Sequence, residues 1–135
     1  MLDASITLSW CFEDQATGLS KAALERLRDD RGVVPELWPF EVGNVLLLAE
    51  RRGRISQPQT VLFVQLLDRL PITVEELGRE ALQRGVMALA RKAGLTLYDA
   101  AYLALAERVG APLATGDKKL REAALAVGVE LLTAP

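Results

Sequence analysis

The sequence predicts an α/β sandwich built around a mostly parallel sheet. Three observations lead there. Short apolar runs alternate with longer segments of helical periodicity along the whole chain. Most of the helical segments open on a capping signal or a proline, and several close on glycine. The chain has 135 residues, 50% hydrophobic and 25% charged, which is enough to bury a core without disulfide or metal staples. No repeat, low-complexity tract or Gly/Ser linker interrupts it, so residues 1–135 are expected to form a single domain.

Each element can be justified in turn. Met1-Leu2 reads as a minimal first strand, and Ser5 to Cys11 as a helix. A second helix is expected from Leu19 to about Arg28, with Ala22, Ala23 and Leu27 on one side; Arg31-Gly32 stops it before a brief strand at Val33-Val34. Pro39 suits the first position of a helix, where a missing N–H does no harm. That helix should carry Val42, Val45, Leu46 and Ala49 to Arg52 and end at Gly53. Ser56-Gln57-Pro58-Gln59 reads as a capping box opening a helix with Leu62, Leu66, Leu67 and Leu70 inward. Pro71 to Val74 is a strand, and Glu75 to Ala93 is helical with interruptions at Gly78 and Gly85. Thr96-Leu97-Tyr98-Asp99 is a second capping box, for a helix ending at Gly110. Pro112 to Thr115 is a strand, Lys118 to Val127 a helix stopped by Gly128, and Val129 to Leu132 the closing strand.

Composition narrows the chemistry. With no histidine, Ser-His-Asp and Cys-His pairs and histidine metal sites are excluded. A lone cysteine, Cys11, excludes an intrachain disulfide and a cysteine-rich zinc site. A formal charge of −2 does not announce a nucleic-acid binder. The start, Met1-Leu2-Asp3-Ala4-Ser5, has no basic stretch ahead of its apolar residues, and no apolar run approaches the ~18 residues of a membrane span. A cytoplasmic, reduced protein without a membrane segment is expected.

Four acids stand where a parallel sheet would gather them. In such a sheet the strands deliver their carboxyl ends to one edge, and the following helices begin there. Asp3 follows the first strand, Glu41 and Asp99 lie in first turns of helices, and Asp117 follows the strand ending near Thr115. Singly, each has an ordinary explanation as a helix cap or a complement to the helix dipole. Together they would repel one another, and hard divalent cations such as Mg²⁺ or Mn²⁺ relieve that repulsion through oxygen ligands.

The motifs around these acids resemble those of a known family. Leu2-Asp3-Ala4-Ser5 looks like its first motif. Pro39-Phe40-Glu41-Val42-Gly43-Asn44, followed by Arg51-Arg52-Gly53-Arg54, looks like its second. The block from Gly94 to Ala106 around Asp99, and Thr115-Gly116-Asp117-Lys118-Lys119-Leu120, complete the pattern. The chain resembles PIN-domain proteins, most closely the VapC toxins of toxin–antitoxin pairs. That resemblance implies a three-layer α/β/α sandwich with a short, mostly parallel central sheet. It implies a Mg²⁺-dependent ribonuclease, Mn²⁺ substituting, with one or two ions and single-stranded or looped RNA as substrate. A homodimer and a cognate antitoxin protein are the implied partners. The family's acidic quartet falls on Asp3, Glu41, Asp99 and Asp117, for catalysis and metal binding, while Ser5 and Thr115 match polar positions beside the pocket. Where some relatives carry a further acid after the last of these, this chain has Lys118 and Lys119.

Without histidine, general-base work is expected to fall to water on a divalent cation, whose pKa can drop from about 15.7 to about 7. Asp3, Asp99 and Asp117 are expected to hold the principal ion, with Glu41 binding a second or orienting the nucleophile. Cleavage would then leave 5′-phosphate and 3′-hydroxyl ends. For gripping substrate the candidates are Arg51, Arg52 and Arg54, and Lys118, Lys119 and Arg121. Arg51 and Arg52 equally suit a helix C-terminus, whereas Lys118 and Lys119 oppose the dipole of the helix they open. Trp10, Phe12, Trp38 and Phe40 bracket Asp3 and Glu41 in sequence. They serve either as core or as a hydrophobic groove for a partner helix. Two further functions compete: a catalytically silent binding module of the same fold, and a DNA-directed structure-specific nuclease.

Overall fold

The sheet is parallel wherever it is paired, and it is short. A computed structural model describes residues 1–135. Strands β1 (Gly32–Pro35) and β2 (Ile72–Glu75) run in parallel, with Gly32 opposite Ile72 and Pro35 opposite Glu75. The Leu2 N–H donates to the Val33 carbonyl at 3.1 Å, and Leu2 forms a parallel bridge with Ala114. A second parallel bridge joins Leu113 to Leu131. The order across the sheet is therefore β2, β1, Leu2, Leu113–Ala114, Leu131. Gly32 sits in a tight place, since a Cβ there would lie 3.0 Å from side-chain carbons of both Leu2 and Leu27 and would press them aside.

Helices complete an α/β/α sandwich. Helix α1 (Ala4–Leu8) packs on α2 (Gly18–Arg26) and α3 (Trp38–Arg51), and α3 touches α4 (Gln57–Asp68). A short α5 (Arg79–Ala81) passes through a π-helical turn at Leu82–Val86 into α6 (Met87–Ala93). The central helix is α7 (Leu97–Val109), which packs against α6, β1 and α8 (Lys118–Ala126). Ala100, Ala101, Leu103, Leu105 and Ala106 of α7 are buried, and the small alanines let it lie close to its neighbours. Gly110 ends α7 in the left-handed conformation at φ 65°, as its sequence position predicts.

Several expected elements differ in extent. Helix α1 stops at Leu8 rather than Cys11: the Ser9 hydroxyl donates to the Ile6 carbonyl, and the Trp10 and Cys11 N–H groups donate three residues back, tightening the end. Glu75 to Leu77 is not helical. Glu75 pairs with Pro35 in the sheet, and the Leu77 N–H donates to the Glu36 carboxylate at 2.8 Å. The expected strands Pro112–Thr115 and Val129–Leu132 shrink to the bridges at Leu113, Ala114 and Leu131; the first is cut short because the chain turns away after Thr115 to cap α8. In α4 the inward residues are Phe63 and Leu67, while Leu62 and Leu66 are exposed. Both pairs are spaced by four, so helical periodicity could not choose between them.

Candidate functional site

Asp3 is where the sheet edge and the first helix meet. It follows the bridged Leu2 and caps α1, one carboxylate oxygen accepting from the Ser5 N–H at 2.7 Å, the Ile6 N–H at 3.2 Å and the Ser5 hydroxyl. The other oxygen accepts from the hydroxyl of Thr115, which is fully buried. Asp117 is built the same way at the start of α8, where its carboxylate accepts the Leu120 N–H at 2.7 Å. Thr115 joins the two acids, since its oxygen also accepts the Asp117 N–H at 3.1 Å. The capping expected of Asp3 and Asp117 is thus present. It fixes both carboxylates at the carboxyl ends of adjoining strand segments.

Glu41 and Asp99 arrive from helices. Trp38-Pro39 opens α3, whose N-cap, Leu37, offers no side-chain hydrogen bond. Glu41 stands in that first turn and accepts the Tyr102 hydroxyl at 2.8 Å. In α7 the Thr96 hydroxyl accepts the Asp99 N–H at 3.1 Å. The reciprocal bond, in which the Thr96 N–H would donate to the Asp99 carboxylate and complete the expected capping box, is not made. The Asp99 carboxylate is left for other uses.

The four charges feel one another. Burial pushes the Glu41 carboxyl above its ordinary range; the Tyr102 hydroxyl offsets part of this, and the negative charges of Asp3 and Asp99 add to the rise. Burial likewise raises Asp99, and Asp117 and Asp3 push it further, against a small opposing effect of Thr96. The Tyr102 phenol is held well above its ordinary value, first by burial and then by Glu41. No lysine or arginine relieves this. The ion pairs of the molecule are Arg26–Asp30, Arg54–Asp14, Arg84–Glu80 and Lys118–Glu122, and none includes a member of the quartet. At the same time, no three acidic side chains are drawn close enough together to hold a metal ion. Asp3 and Glu41 instead spend oxygens on Ser5, Thr115 and Tyr102.

The remaining sequence candidates divide. Ser5 and Thr115 both touch Asp3. Lys118 and Lys119 are exposed beside Asp117, and Lys118 makes only a loose 3.9 Å pair with Glu122. Arg121 donates to the Thr115 carbonyl at 3.2 Å. Arg51 and Arg52 are exposed at the opposite end of α3, ten residues and roughly 15 Å of helix from Glu41. Arg54 pairs with Asp14 and stacks over the Phe12 ring at 5.0 Å. Of the two readings of the aromatic group, core packing holds for two of its members, and the four rings do not line one groove. Phe12 and Trp38 are core residues, the Trp38 indole N–H donating to the Thr7 hydroxyl at 3.1 Å. Trp10 is half-buried and donates to the Ser20 carbonyl. Only Phe40 is exposed, and the four rings line three different hollows. Tyr102 was missed from sequence, although its spacing three residues after Asp99 on α7 puts it on the same helical face.

Comparisons with known proteins agree with this architecture. The profile of the PIN domain matches residues 1–125. Ribonuclease VapC3 from Pyrobaculum aerophilum is 34% identical over 87 residues, which is 64% of this chain and 66% of that ribonuclease. The chain therefore spans just under two thirds of that relative's length. The crystal structure of PAE2754 from Pyrobaculum aerophilum superposes with a TM-score of 0.68 at 26% identity, covering 90% of this chain and 82% of the other.

Proposed function

The chain belongs to the PIN-domain family and is related to VapC-type proteins, and from that premise we propose that it is a metal-dependent endoribonuclease, the toxin of a toxin–antitoxin pair. One observation carries the reading: burial raises the carboxyls of Glu41 and Asp99, neighbouring carboxylates raise them further, and neither forms an ion pair with a lysine or arginine. An all-oxygen donor set under mutual repulsion suits a hard divalent cation, Mg²⁺ or Mn²⁺, better than any other common ligand. Asp3, Asp99 and Asp117 would hold it, with Glu41 completing the set or orienting the attacking water. When bound, such an ion lowers the pKa of water and stabilises negative charge on the phosphate and the leaving oxygen.

The chain's own residues supply the rest. Thr115 and Ser5 hold the Asp3 carboxylate in one orientation, and Tyr102 does the same for Glu41, which is the preorganisation that electrostatic stabilisation needs. Lys118 and Lys119 meet the phosphate backbone beside Asp117. With no histidine to act as base or acid, in-line attack by water leaves a 5′-phosphate and needs no 2′-hydroxyl nucleophile. The exposed apolar residues of α3 and α4, among them Val45, Leu48, Val61 and Leu62, support pairing with a second copy and with an antitoxin.

The test offers single-stranded and hairpin RNA to the purified protein with Mn²⁺, with Mg²⁺ and with EDTA. Cleavage that needs the ion and yields 3′-hydroxyl ends supports the proposal. A 2′,3′-cyclic phosphate, or an undiminished rate in EDTA, overturns the mechanism. A catalytically silent module keeps some support, because no three acids are closed around one point and two of them serve as caps. Titrating Mn²⁺ against thermal unfolding separates the two: a site raises the melting temperature, and Asp99→Asn abolishes the rise.

A further inference from the structure

Two aromatic rings that the fold leaves outside its core stand immediately before two of the site's acids. Phe40 is 81% exposed and precedes Glu41; Tyr98 is 62% exposed and precedes Asp99. Both line one shallow hollow of about 250 Å³ with Leu37, Leu82 and Leu97. Glu36 is the single charged residue on its wall, and its carboxylate already accepts the Leu77 N–H. Folding does not account for the two rings: burying a Phe side chain is worth roughly 1.5–3 kcal/mol, and the exposed ring gives up most of that. A contact made only with a partner does account for them.

We propose that Phe40 and Tyr98 form a stacking platform for an unpaired base of the RNA whose phosphate enters the acidic site. This rests on the nuclease reading and gives it a substrate preference. The hollow lies between the first turns of α3 and α7, the same two turns that carry Glu41 and Asp99, and Lys118 and Lys119 follow the site's Asp117 in the chain. A strand laid on it would thus meet carbon rings for its bases and cations for its phosphates, the pairing by which single strands are bound. The volume is below the ~300–1,000 Å³ of drug-sized ligand sites, which suits one planar base better than the row of anchors an amphipathic helix needs. Every base has a π-face, so the platform selects strandedness before sequence: a paired base must first leave its duplex, an unpaired one need not.

The experiment measures equilibrium binding of the full chain, in EDTA and low salt, to a fluorescent single-stranded RNA octamer. A matching octamer with abasic riboses is the comparison. The base-bearing strand should bind about 5- to 160-fold more tightly, the range of one stacked base. Phe40→Leu and Tyr98→Leu, which keep the apolar surface, should lose most of that difference, whereas Phe40→Tyr and Tyr98→Phe keep it. In Mn²⁺ the leucine variants should raise KM and leave kcat within about twofold. Equal binding of the two octamers, leucine variants indistinguishable from the parent, or leucine variants that lose only the capture of an antitoxin would each overturn the platform. Base-dependent binding without cleavage in Mn²⁺ would instead overturn the nuclease reading and leave the platform standing.

Discussion

Asp3 and Asp117 sit beside Glu41 and Asp99 at one edge of the sheet, yet the two pairs are built differently. The first pair ends strand segments, and each carboxylate accepts backbone N–H groups of the helix it opens. The second pair rides in the first turns of α3 and α7, where neither side chain caps its own helix. Glu41 has one hydroxyl for company, and burial plus its neighbours raise both members above the usual carboxylate range. Capping and site-building are therefore not alternatives. In Asp3 the cap is what aims the carboxylate, whereas in Asp99 the threonine hydroxyl does the capping and the charge is left over.

This contrast can be broken at each end. The largest expected effect is on activity: Asp99→Asn should lower cleavage by at least about 10²-fold, the scale of losing one preorganised electrostatic group, with the melting temperature unreduced. Multiple-turnover rates and a melt on the same sample decide it, and a normal rate would make Asp99 an ordinary surface acid. Next comes Asp3→Ala, which removes a cap and strands the buried Thr115 hydroxyl. A loss of about 2–3 kcal/mol in urea unfolding is expected, against about 0.5 kcal/mol or less for Glu41→Gln. Equal losses at the two positions would erase the distinction between the pairs. Tyr102→Phe is a smaller change. Deleting the donor to Glu41 should cost about 0.5–1.5 kcal/mol and slow cleavage by about tenfold, with kcat moving more than KM.

The smallest effect is in pH. Because the folded protein raises the carboxyls of Glu41 and Asp99 above their unfolded values of 4.5 and 3.8, the native state holds protons more tightly than the unfolded chain. Metal-free stability should therefore fall as pH rises from those values through the raised folded ones. Asp99→Asn should gain roughly 1–2 °C in melting temperature at neutral pH, small because solvent screens a half-exposed group. The gain should vanish below the unfolded value, where the parent is protonated in both states. A constant offset at all pH values would show that the amide acts by packing and not by charge.

Local features of the fold were legible in the sequence because they are encoded within a few residues. Ser56 and Gln59 form the reciprocal box their spacing predicts, Gly110 ends α7, and Pro39 lies in the first turn of α3. Strand length was less legible: Leu113 and Ala114 carry the apolar character of a longer strand, but the chain leaves the sheet after them to form the Thr115–Asp117 turn. Side-chain fate was least legible. Trp38 and Phe40 are two residues apart in α3, one buried against Thr7 and the other 81% exposed. Only the direction from which α1 approaches distinguishes them.

The sequence by itself determined which acids cap or open which helices, and that the chemistry must proceed without histidine. Capping, helical period and composition are short-range properties that each segment carries alone. The tertiary structure alone decided how deeply each of those acids is buried, that Thr115 bonds an acid 112 positions away, and that Tyr102 reaches Glu41 across 61. Those contacts follow from the order of parallel segments in the sheet. That order is set by the burial of the core as a whole, and no local run of residues encodes it.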